Sequence, residues 1–391
     1  MYISRSLNII SNIAMKSVFL LGPRQTGKTQ LIHHVLGEGV AFYNLLDKEL
    51  FFRLSHDLTV IRKQVVASPP AKGIVVIDEI QRLPELLDEV HLMIESLGLR
   101  FLLTGSSARR LKEKGVNLLG GRARQQRLHP LTYQELGDDL FDLRKALNRG
   151  LLPAIYLSDD PRSDLGSYIG TYLENEIANE AAVRNLPAFS RFLTTAALSS
   201  GQIINYSAIA SDAQVNRKIV TEYFQILWDT LIARELPAWK TSKKRKPIET
   251  SKFYFFDTGV CRTILDLPPV KEKSKEFGEY FEAYIFHELQ TYIDYHRTGA
   301  KLHFWRSVTH HEVDFILDQE IAIEVKGKTV VSEKDLSGLR ALAEENLLSK
   351  YLVVSLEEKP RLIDGKFLIL PYKMFLKALW NHEYLSPREE I

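Results

Sequence analysis

Short apolar runs separated by amphipathic stretches set the rhythm of the first third of the chain. Val18-Phe19-Leu20-Leu21, Ile74-Val75-Val76-Ile77 and Phe101-Leu102-Leu103 are apolar at every position, and 41–45 is nearly so. Runs of this length without alternation mark strands covered on both faces of a parallel sheet. A fifth strand is expected at 123–128. Between these runs the spacing predicts helices at 30–36, 50–68 and 84–97, with a lead-in helix within 1–16, and Pro69-Pro70 breaks the chain before the third strand. Strands alternating with helices predict an α/β fold, a parallel αβα sandwich whose ligands sit at the carboxyl ends of the strands.

The rhythm then changes. Residues 132–182 read as helical, broken at Gly150-Leu151-Leu152-Pro153, with an apolar face and opposing acids over 168–180. From 187 to 260 the pattern gives a helix at 189–198 and a short helix at 206–210. A longer helix follows, with Ile219, Tyr223, Leu227 and Leu231 on one face. Two β-like runs, 232–239 and 252–256, flank Thr241-Ser242-Lys243-Lys244-Arg245-Lys246-Pro247. Three helices and a hairpin with a basic tip describe a winged helix-turn-helix. After the linker-like Leu267-Pro268-Pro269-Val270-Lys271-Glu272-Lys273 comes a long amphipathic helix, 274–296. Strands at 312–317 and 321–326, a helix at 333–348, strands at 351–354 and 367–370 and a terminal helix complete a second αβ unit.

Composition narrows the classes. A chain of 391 residues with 45% hydrophobic and 26% charged residues suits two or three domains with real cores. A net charge of +2 creates no global field for nucleic acid, so such a partner has to be argued from local patches. No run approaches a membrane span, the first residues lack the apolar core of a signal peptide, and Cys261 stands alone. These features predict a cytoplasmic protein without disulfides.

The chemistry concentrates at Gly22-Pro23-Arg24-Gln25-Thr26-Gly27-Lys28-Thr29, a G-x-x-x-x-G-K-[ST] motif between a strand and a helix. Glycines let backbone N–H groups curl around phosphates, and the helix N-terminus favours negative charge. Gly22, Arg24, Gln25, Thr26, Gly27, Lys28, Thr29 and Gln30 are the candidate nucleotide contacts, with ATP and Mg²⁺ as the expected cofactors. Lys28 would reach the β- and γ-phosphates and Thr29 would hold Mg²⁺. Asp78 and Glu79, at the end of the third strand, read as a second metal-holding oxygen and a base for the attacking water. Ser106, at the end of the fourth strand, would sense the γ-phosphate.

These motifs, followed by Gly120-Gly121-Arg122 and by His129-Pro130-Leu131-Thr132-Tyr133-Gln134-Glu135, resemble an AAA+-type ATPase. More narrowly, they resemble the bacterial and archaeal group that carries a C-terminal region of unknown function. Arg122 is the candidate arginine finger, a guanidinium able to neutralise charge on the γ-phosphoryl, and Arg109, Arg110 and Arg124 compete with it.

The C-terminal unit holds a second constellation. Asp314, Glu324 and Lys326 form D-x₉-E-x-K across two strands, and alternation puts Glu324 and Lys326 on one side. Two carboxylates can hold Mg²⁺ while a lysine orients water for phosphodiester cleavage. This resembles the restriction-endonuclease-like PD-(D/E)xK fold, with Glu282 in the preceding helix as an additional acid. Catalysis would then fall to Asp314, Glu324 and Lys326, with Glu282, Asp314 and Glu324 as metal ligands.

The expected division is an ATPase core at 1–131, a helical subdomain at 132–186, the winged helix at 187–266 and the nuclease-like domain at 267–391. Double-stranded DNA is the expected partner, touched by Arg217 and Lys218 at the start of the recognition helix and by Lys243, Lys244, Arg245 and Lys246 at the wing. The expected function is ATP hydrolysis coupled to conformational change on DNA. One alternative is a nucleotide-dependent switch whose winged helix engages protein, as a homo-oligomer or with another partner. The other is a metal-dependent nuclease gated by the ATPase.

Overall fold

The computed structural model describes residues 1–107, 109, 118–172 and 185–386. Helix α1 (Ile9–Met15) precedes β1 (Ser17–Leu21) and occupies only the second half of the expected lead-in. Then follow α2 (Lys28–Leu36), β2 (Ala41–Asn44), α3 (Lys48–His56), α4 (Val60–Ala67), β3 (Ile74–Asp78), α5 (Leu86–Leu97), β4 (Arg100–Gly105) and β5 (Ala123–Arg127). The helix expected at 50–68 is two helices. Asp57 ends the first with extended backbone and turns its carboxylate onto the backbone N–H and hydroxyl of Thr59.

Among the described residues these five strands form one parallel sheet in the order β2-β3-β4-β1-β5. Strands β1 and β3 are buried at every position, as their unbroken apolar runs require. One face of the sheet closes over Phe19, Val75, Ile77, Phe101 and Leu103 against α3, α4 and α5. The other face, with Val18, Leu20, Val76 and Leu102, packs into a larger apolar cluster that reaches the C-terminal unit.

The helical stretch after β5 resolves into α6 (Tyr133–Leu140), α7 (Leu143–Arg149), α8 (Pro153–Tyr156) and α9 (Pro161–Tyr168). The rest of the expected helix, 173–180, lies outside the described residues. Next come α10 (Leu186–Leu198), α11 (Tyr206–Asp212), α12 (Arg217–Asp229), the antiparallel pair β6 (Ala233–Leu236) and β7 (Lys252–Phe255), and α13 (Thr258–Ile264). Helix α12 stops before Leu231, which takes a left-handed φ of 62° as the chain turns into the hairpin. Leu152, Leu165, Phe192, Phe224, Phe253 and Val260 share one apolar cluster, so the stretches 132–186 and 187–266 are built on a common core.

In the C-terminal unit α14 (Lys275–His296) leads to β8 (Leu302–Arg306), β9 (Glu312–Leu317), β10 (Ile321–Lys326), α15 (Ser337–Ala343), β11 (Lys350–Ser355), β12 (Arg361–Ile363), β13 (Phe367–Pro371) and α16 (Tyr372–Trp380). Among the described residues the sheet has six strands in the order β12-β13-β11-β10-β9-β8. Strands β8 and β12, at its two edges, escape the sequence reading, and the helix expected at 333–348 shortens to α15 behind a 3₁₀ turn. Helix α14 buries Phe281, Tyr284, Leu289 and Tyr292 in the cluster shared with the first sheet. A buried ionic knot joins the parts: Arg5 reaches the carbonyls of Thr26 and His129, the hydroxyl of Tyr295 and the carboxylate of Glu135. Asp294 of α14 meets His129 at 2.8 Å and Arg234 of β6 at 2.9 Å. Burial, then Arg234, push the His129 imidazole down to about 3, so it is neutral there.

Candidate functional site

The first site is built at the carboxyl ends of β1, β3 and β4. Leaving β1, the chain passes so close to β5 that a Cβ on Gly22 would lie 2.4 Å from the Leu128 carbonyl oxygen. Gln25 and Gly27 take positive φ angles of 62° and 90°, curling the loop into the N-terminus of α2, where Gly27 is the N-cap. No side chain caps that terminus, so its dipole faces whatever the loop encloses.

Lys28 is 6% exposed, and its ammonium donates to the carbonyls of Gly22 (2.8 Å) and Pro23 (3.1 Å). Burial outweighs the attraction of Glu79 and Asp78 and lowers its pKa to about 8. The Thr29 hydroxyl donates to Asp78 Oδ2 at 2.9 Å. Thr104 donates its hydroxyl to the other oxygen of Asp78 and accepts the backbone N–H of Glu79 at 3.1 Å. Thr29 and Asp78 thus present adjacent hard oxygen atoms, a donor set that fits Mg²⁺ with waters and phosphate oxygens filling its shell.

Glu79 holds a left-handed conformation, φ 62° and ψ 45°, costly for a residue with a side chain and often found where geometry serves chemistry. Gln81 explains how the carboxylate is aimed. Its amide donates to Glu79 Oε2 at 2.5 Å and to the Ser106 hydroxyl at 3.0 Å, tying the base to the end of β4. A Cβ on Gly105 would lie 2.7 Å from the Gln81 amide oxygen, so the glycine makes room for it. Sequence reasoning missed Gln81 and Thr104. Their signal was the polar residue two beyond Glu79 and the threonine closing an apolar strand.

A cavity of about 490 Å³ opens over Lys28, Thr29 and Glu79 and is closed on its far side by Ser167, Tyr168 and Tyr172. Arg24 crosses its rim, with its guanidinium 5.5 Å from the Tyr172 ring centre. On the other side of Gly27 and Gln30, a cavity of about 480 Å³ is lined by Tyr2, Ile3, Leu131, Pro153 and Leu157. Gln25 lines both, and Thr26 is buried, turning its hydroxyl onto the Pro23 carbonyl.

Arg122 lies away from this loop. It directly precedes β5, whose first residue pairs with Ser17, whereas the phosphate loop leaves from Leu21 at the other end of β1. That separation is roughly 15 Å, and Arg122 is partly exposed and paired with Glu95. It does not reach the loop of its own chain. Arg109 lies 3.8 Å from Asp229, Arg124 touches Met15 at the surface, and Arg110 is outside the described residues.

The second constellation does converge. The register that sets Ile323 opposite Phe315 sets Glu324 opposite Asp314, and Asp314 Oδ2 accepts the Val325 N–H at 2.8 Å. Lys326 pairs with Glu324 at 2.5 Å, and Glu282, Asp314 and Lys326 line one cavity of about 600 Å³. Burial, then the charge of Glu282 on one and of Asp314 on the other, raise the pKa of both Asp314 and Glu324. The expected three-carboxylate metal set is nevertheless not formed: among the described residues, no group of three acids, histidines or cysteines is arranged to hold a metal ion. Glu282 is committed elsewhere, to Lys252 at 3.2 Å and the Tyr254 hydroxyl at 2.5 Å.

The expected DNA contacts divide. Arg217 and Lys218 are exposed at the start of α12, which Asn216 caps. The basic segment is no free wing tip, because the backbone N–H groups of Lys243, Lys244 and Arg245 all bond the Glu345 carboxylate. Arg245 also pairs with Glu344 at 2.7 Å, leaving Lys243, Lys244 and Lys246 as exposed cations. Further along, Ile248 bonds the Arg306 carbonyl of β8. Among the described residues no helix is long and apolar enough to cross a membrane.

Comparison with known proteins matches three segments of the chain to family models. Residues 14–137 match the model of an AAA domain, so the chain carries a P-loop domain of the AAA ATPase type. Residues 140–271 and 277–375 match two domains of unknown function, DUF8612 and DUF4143. Uncharacterized proteins of Mycobacterium bovis and Mycobacterium tuberculosis are each 26% identical over 309 residues, 77% of this chain and 67% of theirs. One from Haemophilus influenzae is 22% identical over 297 residues, 68% of this chain and 72% of its own. Among solved structures, the Aeropyrum pernix ORC1 protein in complex with DNA aligns over 67% of this chain and 90% of its own, at 14% identity and TM-score 0.28. The Bacillus subtilis DNA clamp loader delta protein aligns over 55% and 85%, at 11% identity and TM-score 0.22.

Proposed function

We propose that the protein binds Mg-ATP at the loop 22–29 and hydrolyses it, using the reaction to reposition the regions that follow the AAA domain. The observation that carries the reading is the single hydrogen-bonded chain from Thr29 through Asp78 and Thr104 to Glu79. Lys28 exchanges two backbone carbonyls for phosphate oxygens, and the N-terminus of α2 shares that charge. Thr29 and Asp78 would hold Mg²⁺, which would supply charge neutralisation on the transferring phosphoryl group. Glu79, aimed by Gln81, takes a proton from the attacking water, while Ser106 sits beside the same amide to register the γ-phosphate. The apolar cavity beyond Gly27 is sized for a nucleobase between Tyr2, Leu131 and Pro153. Arg122 would contribute only on the nucleotide of a neighbouring copy.

The regions read as 132–186, 187–266 and 267–391 act as the moving parts, with the three helices and hairpin of 187–266 working as a winged helix. Duplex DNA would be met by Arg217 and Lys218, with Lys243, Lys244 and Lys246 on a second surface. One observation favours the nucleotide switch as second reading: the hairpin loop spends its backbone donors on Glu345 of the same chain. The test is steady-state ATP hydrolysis by wild type and Glu79→Gln, with and without duplex DNA. Hydrolysis lost in the variant and stimulated by DNA supports action on DNA. Hydrolysis that needs Glu79 but ignores DNA supports the switch, and turnover undiminished in the variant removes Glu79 as the base.

A further inference from the structure

The C-terminal pocket contains a cation that its own sequence pattern does not supply. Lys252 belongs to β7, some sixty residues before the strands that carry the acids. The residue is 3% exposed, and its ammonium lies 3.2 Å from Glu282 Oε1 and 2.5 Å from Glu312 Oε1. The ring of Phe304 faces it at 5.3 Å. Two residues further along the same strand, and so on the same side, Tyr254 places its hydroxyl 2.5 Å from that same oxygen of Glu282. One strand of the hairpin therefore delivers both a positive charge and a donor to the acid that a metal would need.

The balance of charge explains the arrangement. Glu282, Glu312, Asp314 and Glu324 gather here, met by Lys252, Lys326 and Arg306. Buried carboxylates in such number are stable only when paired or neutralised. Glu324 is 6% exposed, one oxygen pairs with Lys326, and the other, Oε2, is buried without a hydrogen-bond partner. That oxygen is one the internal cations do not satisfy, and the neighbouring acids Asp314 and Glu282, with Lys326, bound a cavity that opens onto the same cluster.

The geometry points to Lys252 as an internal counter-ion that excludes a divalent metal ion from the acid pocket: the ammonium and the metal compete for Glu282, so the pocket takes a metal only when β7 withdraws its lysine. The position of the hairpin thereby sets whether the pocket is open to metal. This hairpin is also stitched to β8 through Trp239, Ile248 and Val308, so its movement would be a concerted one. The inference rests on reading the acids as able to hold a metal, and it is independent of ATP hydrolysis.

The test is a Mn²⁺ titration of the nucleotide-free full chain, followed by the electron paramagnetic resonance of free Mn²⁺. It compares wild type, Lys252→Met, and Lys252→Met combined with Glu324→Gln. Lys252→Met is expected to gain one Mn²⁺ at least tenfold tighter than any Glu324-dependent binding by wild type, and the double variant to lose it. If wild type already binds a Glu324-dependent Mn²⁺ while Lys252 stays shielded from amine acylation, the metal reading stands and the exclusion is overturned. If folded Lys252→Met gains no metal, the acids themselves are not a metal site. Should Lys252→Met not fold, acylation of wild type decides. Lys252 labelled faster in saturating Mn²⁺ supports exclusion, and labelling unchanged by Mn²⁺ overturns it.

Discussion

Lys28 and Lys252 are both buried lysines beside pairs of carboxylates, yet their basicities move in opposite directions. Lys28 touches only carbonyl oxygens, so burial dominates and its pKa falls to about 8. Lys252 touches Glu282 and Glu312 directly, and their attraction, with that of Tyr254, overcomes an equally complete burial and raises its pKa well above the ordinary value. The acids differ in the same way. Asp78 is held by the hydroxyls of Thr29 and Thr104, neutral groups that a metal ion can displace or share. Glu282 is held by an ammonium and a phenol. Similar residue types therefore build a site ready to exchange partners in one place and a self-neutralised cluster in the other.

Removing the lysines separates the two most sharply. Lys28→Ala is expected to weaken ATP binding at least ~100-fold, since a buried charged contact to phosphate contributes about 3 kcal/mol or more. Lys252→Ala should leave ATP binding within about twofold. Titration with a fluorescent nucleotide checks both, and comparable losses would dissolve the contrast. Stability should respond in reverse. Lys252→Met leaves the partly buried Glu282 without its cation and Glu312 with Arg306 alone, and is expected to cost about 3 kcal/mol, read from the shift in urea midpoint. Lys28→Met, which strips only carbonyls of a donor, should cost less than about 1 kcal/mol.

A smaller effect tests how Glu79 is held. Gln81→Met keeps the volume but removes the amide that joins Glu79 to Ser106. We expect kcat to fall about tenfold, roughly 1.4 kcal/mol, with nucleotide affinity unchanged. A parallel fall in affinity would make Gln81 a structural prop of the loop rather than an aid to the base.

Legibility in the sequence tracked how local each determinant was. The runs at 17–21 and 74–78 announced buried strands, and their acids and glycines announced the loop, because each motif is contiguous and its chemistry is carried by neighbouring residues. Edge strands β8 and β12 were not visible, because a short edge strand needs no continuous apolar run. Asp314, Glu324 and Lys326 could be paired from strand alternation, but Lys252 could not be added, since nothing local ties β7 to β9. The distance of Arg122 from the loop of its own chain was hidden for the related reason that a Gly-Gly-Arg turn does not say which end of the sheet it occupies. The basic run 243–246 lies between β6 and β7, and its docking on Glu345 is tertiary and left no mark in the run itself.

The finest distinction between the two lysines is protonic. With a pKa of about 8 in the nucleotide-free protein, Lys28 is about half protonated at pH 8 and largely neutral at pH 9. Phosphate oxygens replacing carbonyls restore the charge, so binding must take up a proton. Uptake should rise from roughly half a proton at pH 8 to nearly one at pH 9, measurable as the dependence of calorimetric binding heat on buffer ionisation enthalpy. Affinity should accordingly decline with rising pH across that interval. For folding the sign is opposite: because the folded pKa lies below the unfolded one, the unfolded chain binds more protons above pH 8, and nucleotide-free stability gains from this group as pH rises towards 10.5. Lys252, raised rather than lowered, stays charged from pH 8 to pH 9 and adds nothing to the proton uptake; its contribution to folding has the opposite sign to that of Lys28, stability being lost as the pH passes through the ordinary lysine value and the unfolded chain binds fewer protons. An uptake of zero at both pH values would mean that the carbonyls of Gly22 and Pro23 hold Lys28 fully charged, and that the two lysines differ in partners but not in readiness to change them.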